Sequence, residues 1–252
     1  MRAKTMKYAI VSDIHGNLEA LDAVLRDLER HSLDGVLCLG DSVGYGPNPC
    51  ECLDWSARQT VYLLGNAEES ALFSPETGGE SATVAMGWTR ETLFAGPGGE
   101  DRRARLEALP RVLQFEEALF VHASPRSPLH EYLYPEVAQP RSKFESLLRL
   151  APRWTFSGHT HLPGVLDGEG RFTSASEQSA WHSEGRQGLV NVGSVGQSRD
   201  GDLRACYAVW DGESVEFHRV AYDLETTVRK IREIPPLTTS KALRWLGAAA
   251  AT

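Results

Sequence analysis

Residues 7–41 read KYAIVSDIHGNLEALDAVLRDLERHSLDGVLCLGD. Residues 7–13 are a short, β-branched-rich apolar run that ends on polar residues, the mark of a buried strand. From 18 to 30, Leu18, Leu21, Val24, Leu25 and Leu28 fall on one helical face. Residues 34–41 are a second apolar run and a second strand. Outward from there, 48–59 reads as a helix with Pro49 at its start, and 61–66 as a third strand. Strand–helix–strand–helix–strand is the pattern of a parallel sheet with crossover helices.

Residues 81–95 read as a helix between the PETGG and GPGGE stretches, and 111–125 as two strands around a turn at Glu116–Glu117. Residues 141–150 are helical, and 154–161 are strand then loop. From 163 onward, strand-like pieces alternate with turns, and Asp211–Gly212 marks a hairpin. Residues 223–234 form a last amphipathic helix that Pro235–Pro236 stops. The expectation is one domain over 1–236, two β-sheets face to face with helices outside, and a loosely attached tail over 237–252.

With 252 residues the chain can bury a full core, and 41% hydrophobic with 24% charged residues is ordinary for a globular protein. The formal net charge of -8 argues against a broad basic face, so no stable nucleic-acid binding is expected. No signal peptide and no bilayer-spanning apolar run is evident, so a cytoplasmic location without membrane attachment is expected. Cys38 and Cys206 lie in apolar runs as buried thiols. Cys50 and Cys52 form a C-x-C pair with no second pair to complete a zinc site.

Metal-ligand residue types recur where strands end. Asp13 and His15 follow the first strand (SDIHGN), Asp41 the second (GDSVGYGP) and Asn66 the third (LLGNAE); His122 follows a later strand (FVHASP), and His159 and His161 another (SGHTH). Crevices at the carboxyl ends of strands are where α/β sheets place their sites. Singly, each has an ordinary alternative: a helix cap or turn for Asp, a hydrogen-bonded core or surface residue for His, a turn for Gly-Asn. Jointly they are seven oxygen and nitrogen donors at five strand ends. Imidazole with carboxylate suits Mn, Fe, Zn, Ni or Co better than Ca. Seven donors are too many for one ion and suit two, about 3.5–4 Å apart, sharing a carboxylate. Such a pair neutralises phosphoryl oxygens and acidifies an attacking water.

The ordered set D-x-H, G-D, G-N, H and G-H-x-H resembles that of the calcineurin-like metallophosphoesterases. LVNVGSVGQSRDGD (189–202) resembles the closing segment of that family's small bacterial and archaeal phosphodiesterase branch. The resemblance implies an α/β fold: a four-layer αββα sandwich of two mixed β-sheets flanked by helices. It implies that Asp13, His15 and His161 hold one divalent ion, that Asn66, His122 and His159 hold a second, and that Asp41 bridges them. Mn is the ion expected to support activity. The implied function is hydrolysis of phosphate diesters by metal-activated water, with small phosphoesters, nucleotide-type or dinucleoside polyphosphate, as substrates. A homodimer is the expected assembly.

This chain departs from many members at Ala67, where a histidine would assist the leaving group. Losing a general acid costs about 10²–10⁴ in rate, least for good leaving groups, and the branch often lacks this histidine. Ala67→His is therefore expected to raise activity on esters with poor leaving groups. Asn17 and Arg126 are added as catalytic candidates beside Asp41 and Asn66. Asn17 would orient a ligand or phosphate oxygen, or else cap the helix at Leu18. Arg126 would clamp a phosphate bidentately, or else form a surface ion pair. Tyr45 would stack on a base or line the cleft, or else pack the loop, and His130 and His182 are read as bystanders. The alternative is a metal-binding protein of this fold used mainly as an interaction scaffold.

Overall fold

β1 (Tyr8–Val11) is apolar on both faces because both are covered. Ile10 enters the space between two sheets, while Ala9 and Val11 pack under helices. α1 (Leu18–Leu28) lays Ala20, Leu21, Val24 and Leu28 on that outer face. β2 (Gly35–Cys38), α2 (Pro49–Ser56) and β3 (Val61–Tyr62) follow, with β1, β2 and β3 parallel. The computed structural model describes residues 6–74, 79–115, 117–238 and 241–247. Residues 75–78 of the PETGG stretch and Glu116 of the expected turn lie outside them.

Two helices appear between residues 66 and 107 where none was expected. The third strand is only two residues long, and Asn66 opens α3 (Asn66–Phe73). The GPGGE stretch opens α5 (Gly99–Glu107), after α4 (Glu80–Phe94). β4 (Val112–Phe115), β5 (Ala118–Val121), α6 (Arg141–Leu148) and β6 (Trp154–Ser157) come next. They are followed by β7 (Gly164–Asp167), β8 (Phe172–Ser174), β9 (Ala180–His182) and β10 (Gly188–Asn191). β11 (Ala205–Trp210) and β12 (Ser214–Val220) form the expected hairpin; Asp211 Oδ1 accepts from Ser214 N at 2.7 Å across its turn.

The strands build two six-stranded mixed sheets, β3-β2-β1-β11-β12-β9 and β4-β5-β6-β10-β7-β8. Their facing sides bury Phe120, Trp154, Phe156, Trp181 and Trp210, with Phe120 and Phe156 stacked at 5.3 Å and Phe156 tilted against Trp210 at 5.2 Å. Helices cover both outer faces, completing the αββα sandwich. Because β1, β2 and β3 run together, as do β5, β6 and β10, the loops after them meet at one end.

The tail does not hang free where it is described. After α7 (Leu224–Arg232), Pro235 opens a helical turn, α8 (Pro235–Thr238), since a first-turn position needs no N–H. α9 (Lys241–Trp245) follows. Leu237, Ala242, Leu243 and Leu246 bury against Ala85 of α4 and Ile231 of α7. Among the described residues, no helix is long and apolar enough to cross a membrane.

Candidate metal centre

The loop backbones are unusual. Among the described residues seven non-glycine residues have left-handed φ, and six of them are Asp13, His15, Asp41, Tyr45, His159 and His161. Such backbones cluster at functional sites, because only surrounding structure can hold them. Here the loops brace one another: Asp13 N donates to Gly40 O at 3.0 Å, His15 N to Asp41 O at 2.9 Å and His159 N to Asp13 Oδ2 at 3.0 Å. Two glycines are needed for close approach. A Cβ on Gly158 would lie 2.1 Å from Asp13 Oδ2, and one on Gly65 2.2 Å from Asp41 Oδ1.

All seven candidate donors converge. Asp13, His15 and His161 form one buried group and Asp41, His122 and His159 another, each with atoms close enough to hold a metal ion. In the first, His15 Nε2 is 3.3 Å from His161 Nε2, and His161 Nε2 is 3.1 Å from Asp13 Oδ1. In the second, His122 Nε2 is 2.9 Å from Asn66 Oδ1 and 3.1 Å from His159 Nδ1. Asp41 reaches both, with Oδ2 3.7 Å from His15 Nε2 and Oδ1 3.5 Å from His122 Nε2.

The donor set fits cations. His15 Nδ1 donates to Val43 O at 3.1 Å, His122 Nδ1 to Leu39 O at 3.0 Å, and His161 Nδ1 to Gln197 O. In the neutral ring, the form that ligates a metal, each Nε2 is then a bare lone pair. So the His15–His161 and His122–Asn66 contacts set lone pair against lone pair, and Asp13 Oδ1 is buried without a hydrogen-bond partner. A cation between them turns this repulsion into attraction. Neighbouring donors on an ion with bonds of about 2.1 Å lie about 3 Å apart, close to the spacings here.

Electrostatics agree. Burial, with His161 beside it, holds His15 well below the ordinary imidazole range. Burial also lowers His122, and burial and then His122 push His159 down to about 3. These rings are neutral at pH 7, the ligand form. Burial would raise Asp13, and positive charge at its neighbours His161, His122 and His15 would outweigh that and keep it ionised; with those rings neutral, a bound cation would supply the charge instead. Burial, then Glu68 and Asp13, push Asp41 up.

Two expected catalytic residues are occupied elsewhere. Asn17 caps α1: its Oδ1 accepts from Ala20 N at 3.1 Å and from Thr227 Oγ1 at 3.0 Å, and its Nδ2 donates to Gly196 O at 3.0 Å. Its oxygen has both lone pairs engaged and one of its two N–H groups is committed to Gly196 O, so its main part is structural. Arg126 is taken by Glu131 through both Nε and Nη2. His130 pairs with Glu69 at 2.9 Å, and His182 is exposed on β9. Tyr45 lies edge-on to His15 at 5.6 Å. The four cysteines are free thiols.

Three residues near the centre escape a local reading. Glu68, fully buried, accepts from Asp41 N, Ser42 N, Val43 N, Gly65 N and Tyr62 OH at 2.7–3.3 Å, so it shapes the Asp41 loop. Burial raises its pKa, against those hydrogen bonds. The signal was Gly65-x-x-Glu68, half of a capping box. Tyr132 stacks on His159 at 3.9 Å, and Arg199 lies over Trp245 at 4.4 Å. Ala67 is 2% exposed; its N donates to Asp41 Oδ1 at 2.7 Å, and a Cβ on neighbouring Gly44 would meet Ala67 Cβ at 3.3 Å and Met86 Sδ at 3.1 Å.

Comparison with known proteins shows the family. The calcineurin-like phosphoesterase superfamily domain matches residues 6–214. The uncharacterized protein MJ0912 of Methanocaldococcus jannaschii is 32% identical over 249 residues, 95% of each chain. The crystal structure of a metallophosphoesterase from Sphaerobacter thermophilus superposes with a TM-score of 0.82 at 30% identity, covering 97% of this chain and 99% of that one. The hypothetical protein PH1004 of Pyrococcus horikoshii OT3 shares the fold, with a TM-score of 0.76 at 21% identity over 97% and 100% of the two chains. The chain belongs to the calcineurin-like phosphoesterase superfamily.

Proposed function

We propose that Asp13, His15 and His161 hold one divalent ion, that Asn66, His122 and His159 hold a second, that Asp41 joins them, and that the site hydrolyses phosphate diesters. The observation that carries this reading is the set of facing lone pairs in two buried groups within reach of one carboxylate. Bound ions supply charge for the phosphoryl oxygens and lower the pKa of an attacking water. Mn is the ion we expect to support turnover, although Fe, Zn, Ni and Co suit the same donors.

The chain's own part is preorganisation. Backbone carbonyls at Val43, Leu39 and Gln197 fix three imidazoles, and Glu68 fixes the loop that carries Asp41. Ala67 offers no proton to a leaving group. Reactions whose leaving group departs as a stable anion therefore fit best: aryl esters, or a nucleotide leaving a polyphosphate.

The test is hydrolysis of bis-(p-nitrophenyl) phosphate by protein loaded with Mn²⁺, alongside Asp41→Asn and a count of bound metal. Two equivalents, and turnover that Asp41→Asn abolishes, are expected. Two bound equivalents without turnover under Mn, Fe, Co, Ni or Zn would leave only the scaffold reading. Faster cleavage of p-nitrophenyl phosphate than of the diester would overturn the diesterase assignment.

A further inference from the structure

We propose that Arg199 is the phosphate-binding cation of this cleft, and that Trp245, from the C-terminal helix α9, positions it. The proposal rests on the phosphoesterase reading above and adds the residue that grips the substrate's non-bridging oxygens.

The loop after β10 is strapped to the centre. Gly196 N donates to Asp13 O at 3.0 Å, Ser194 Oγ to Asp13 O at 2.8 Å, and Gln197 O receives the His161 Nδ1 proton. Arg199 follows two residues later, and its Nη2 donates to Gln197 Oε1 at 3.2 Å. The same glutamine thus ties the guanidinium to a proposed metal ligand. Gln197 on one side, and Trp245 through Tyr45 on the other, place Arg199 beside the His15–His161 group.

One of its donors is uncommitted, while Nη2 is shared with Gln197 Oε1. Nε is buried without a hydrogen-bond partner among the described residues. An orphaned guanidinium donor in a half-buried site is costly unless a ligand satisfies it. A phosphoryl group offers two oxygens in the geometry that a guanidinium fork matches. Arg126, the cation expected from sequence, lacks this freedom because Glu131 holds it on two donors.

Trp245 gives the guanidinium its floor. Cζ of Arg199 lies 4.4 Å above the indole, within cation–π range. The indole meets Tyr45 edge-on at 5.6 Å and 89°, and Tyr45 meets His15 edge-on at 5.6 Å. The helix itself is held by burial of Ala242, Leu243 and Leu246. This segment lies beyond residues 6–214, where the superfamily domain matches. The tail thereby becomes part of the substrate site without supplying a metal ligand.

The test uses full-length, Mn-loaded protein, with inorganic phosphate as the binding probe and bis-(p-nitrophenyl) phosphate for kinetics. Bound metal is counted first on every sample, so failure of the metal-site reading is seen separately. Arg199→Ala should keep the wild-type metal count, weaken phosphate binding about 10- to 100-fold and raise KM, and Arg199→Lys should recover part of the loss. Trp245→Ala should weaken phosphate binding about 3- to 10-fold at unchanged metal content, and Trp245→Phe less, on the scale of one cation–π contact. Trp245→Phe also serves if the alanine variant fails to fold. Arg126→Ala should stay within about two-fold of wild type, as loss of a surface ion pair predicts. Wild-type phosphate affinity in Arg199→Ala overturns the proposal, as does a loss of affinity that appears only together with loss of metal. Wild-type affinity and KM in both Trp245 variants overturns the positioning role.

Discussion

Glu68→Gln isolates how the Asp41 loop is held. In the native protein Oε2 accepts from Asp41 N at 2.8 Å and Gly65 N at 2.9 Å, and Oε1 from Ser42 N at 2.7 Å, Val43 N at 3.3 Å and Tyr62 OH at 3.0 Å. Glutamine has one acceptor oxygen. Whichever way its amide turns, the NH₂ faces at least two backbone N–H groups that no water reaches. Each buried donor left unpaired costs about 1–3 kcal/mol. Removing the charge works the other way, because Glu68 is among the groups that raise Asp41. The net loss is therefore about 3 kcal/mol rather than the full sum. In a chain of this size that lowers Tm by about 6–12 °C, measured by circular dichroism on metal-loaded and chelated samples. The variant should also bind less metal, because Asp41, at φ 52°, loses the contact that holds its N–H. A Tm within about 2 °C of wild type with full metal content would refute this account of the loop.

Asn17→Ala should cost about 1–2 kcal/mol in denaturant unfolding, as loss of a helix cap does, while KM stays unchanged; a raised KM would restore its role at the substrate. His159, lowered to about 3, keeps off protons that the unfolded chain takes up near pH 6.5. Its contribution to stability is thus present above pH 6.5 and is lost as pH falls toward 3. In chelated samples, wild type should lose about 2 kcal/mol relative to His159→Gln between pH 7 and 5; parallel pH profiles would show that His159 titrates normally. Ala67→His was expected to help poor leaving groups, but Ala67 is 2% exposed within a core cluster, so an imidazole there must displace packed neighbours. The expected result is about 1–3 kcal/mol of destabilisation and no gain on alkyl diesters, and a faster alkyl reaction at full metal content would show that the imidazole finds room.

What could be read from sequence was what local composition determines. β1 and β2 are short runs buried on both faces, so their apolar residues are continuous and their ends are sharp. The candidate donors stood out because His, Asp and Asn directly follow such runs. The remainder depended on contacts distant in sequence. Gly65–Asn66 looked like a turn because a two-residue strand leaves no periodic signal, yet Asn66 starts a helix that Glu68 anchors to the Asp41 loop. Arg126 and Arg199 are indistinguishable as arginines after a strand. What separates them is Glu131 beside one and Trp245 beneath the other, and the second of these is made by tertiary packing alone. Pro235–Pro236 reads as a stop only if nothing beyond it packs, and Leu237, Leu243 and Leu246 do.

The strain in the loops explains why so much of the chain is devoted to bracing them. Six residues at left-handed φ, each costing on the order of 1–2 kcal/mol, amount to roughly as much as the net stability of a typical domain, about 5–15 kcal/mol. Facing lone pairs add to that cost until cations reach them. Such loops persist because they hang from two sheets whose shared interior is lined with large aromatic side chains, and because Asn17, Glu68 and Ser194 tie loop to loop through buried hydrogen bonds. A cation that binds only the folded arrangement adds RT ln(1 + [L]/Kd) to stability. The proposed ligands are thus held near their final geometry by the fold, and the ions in turn relieve the repulsion that the fold imposes on them. On this view the residue after Gly65–Asn66 is small because its side chain, 2% exposed, faces packed protein, while its backbone N–H serves Asp41.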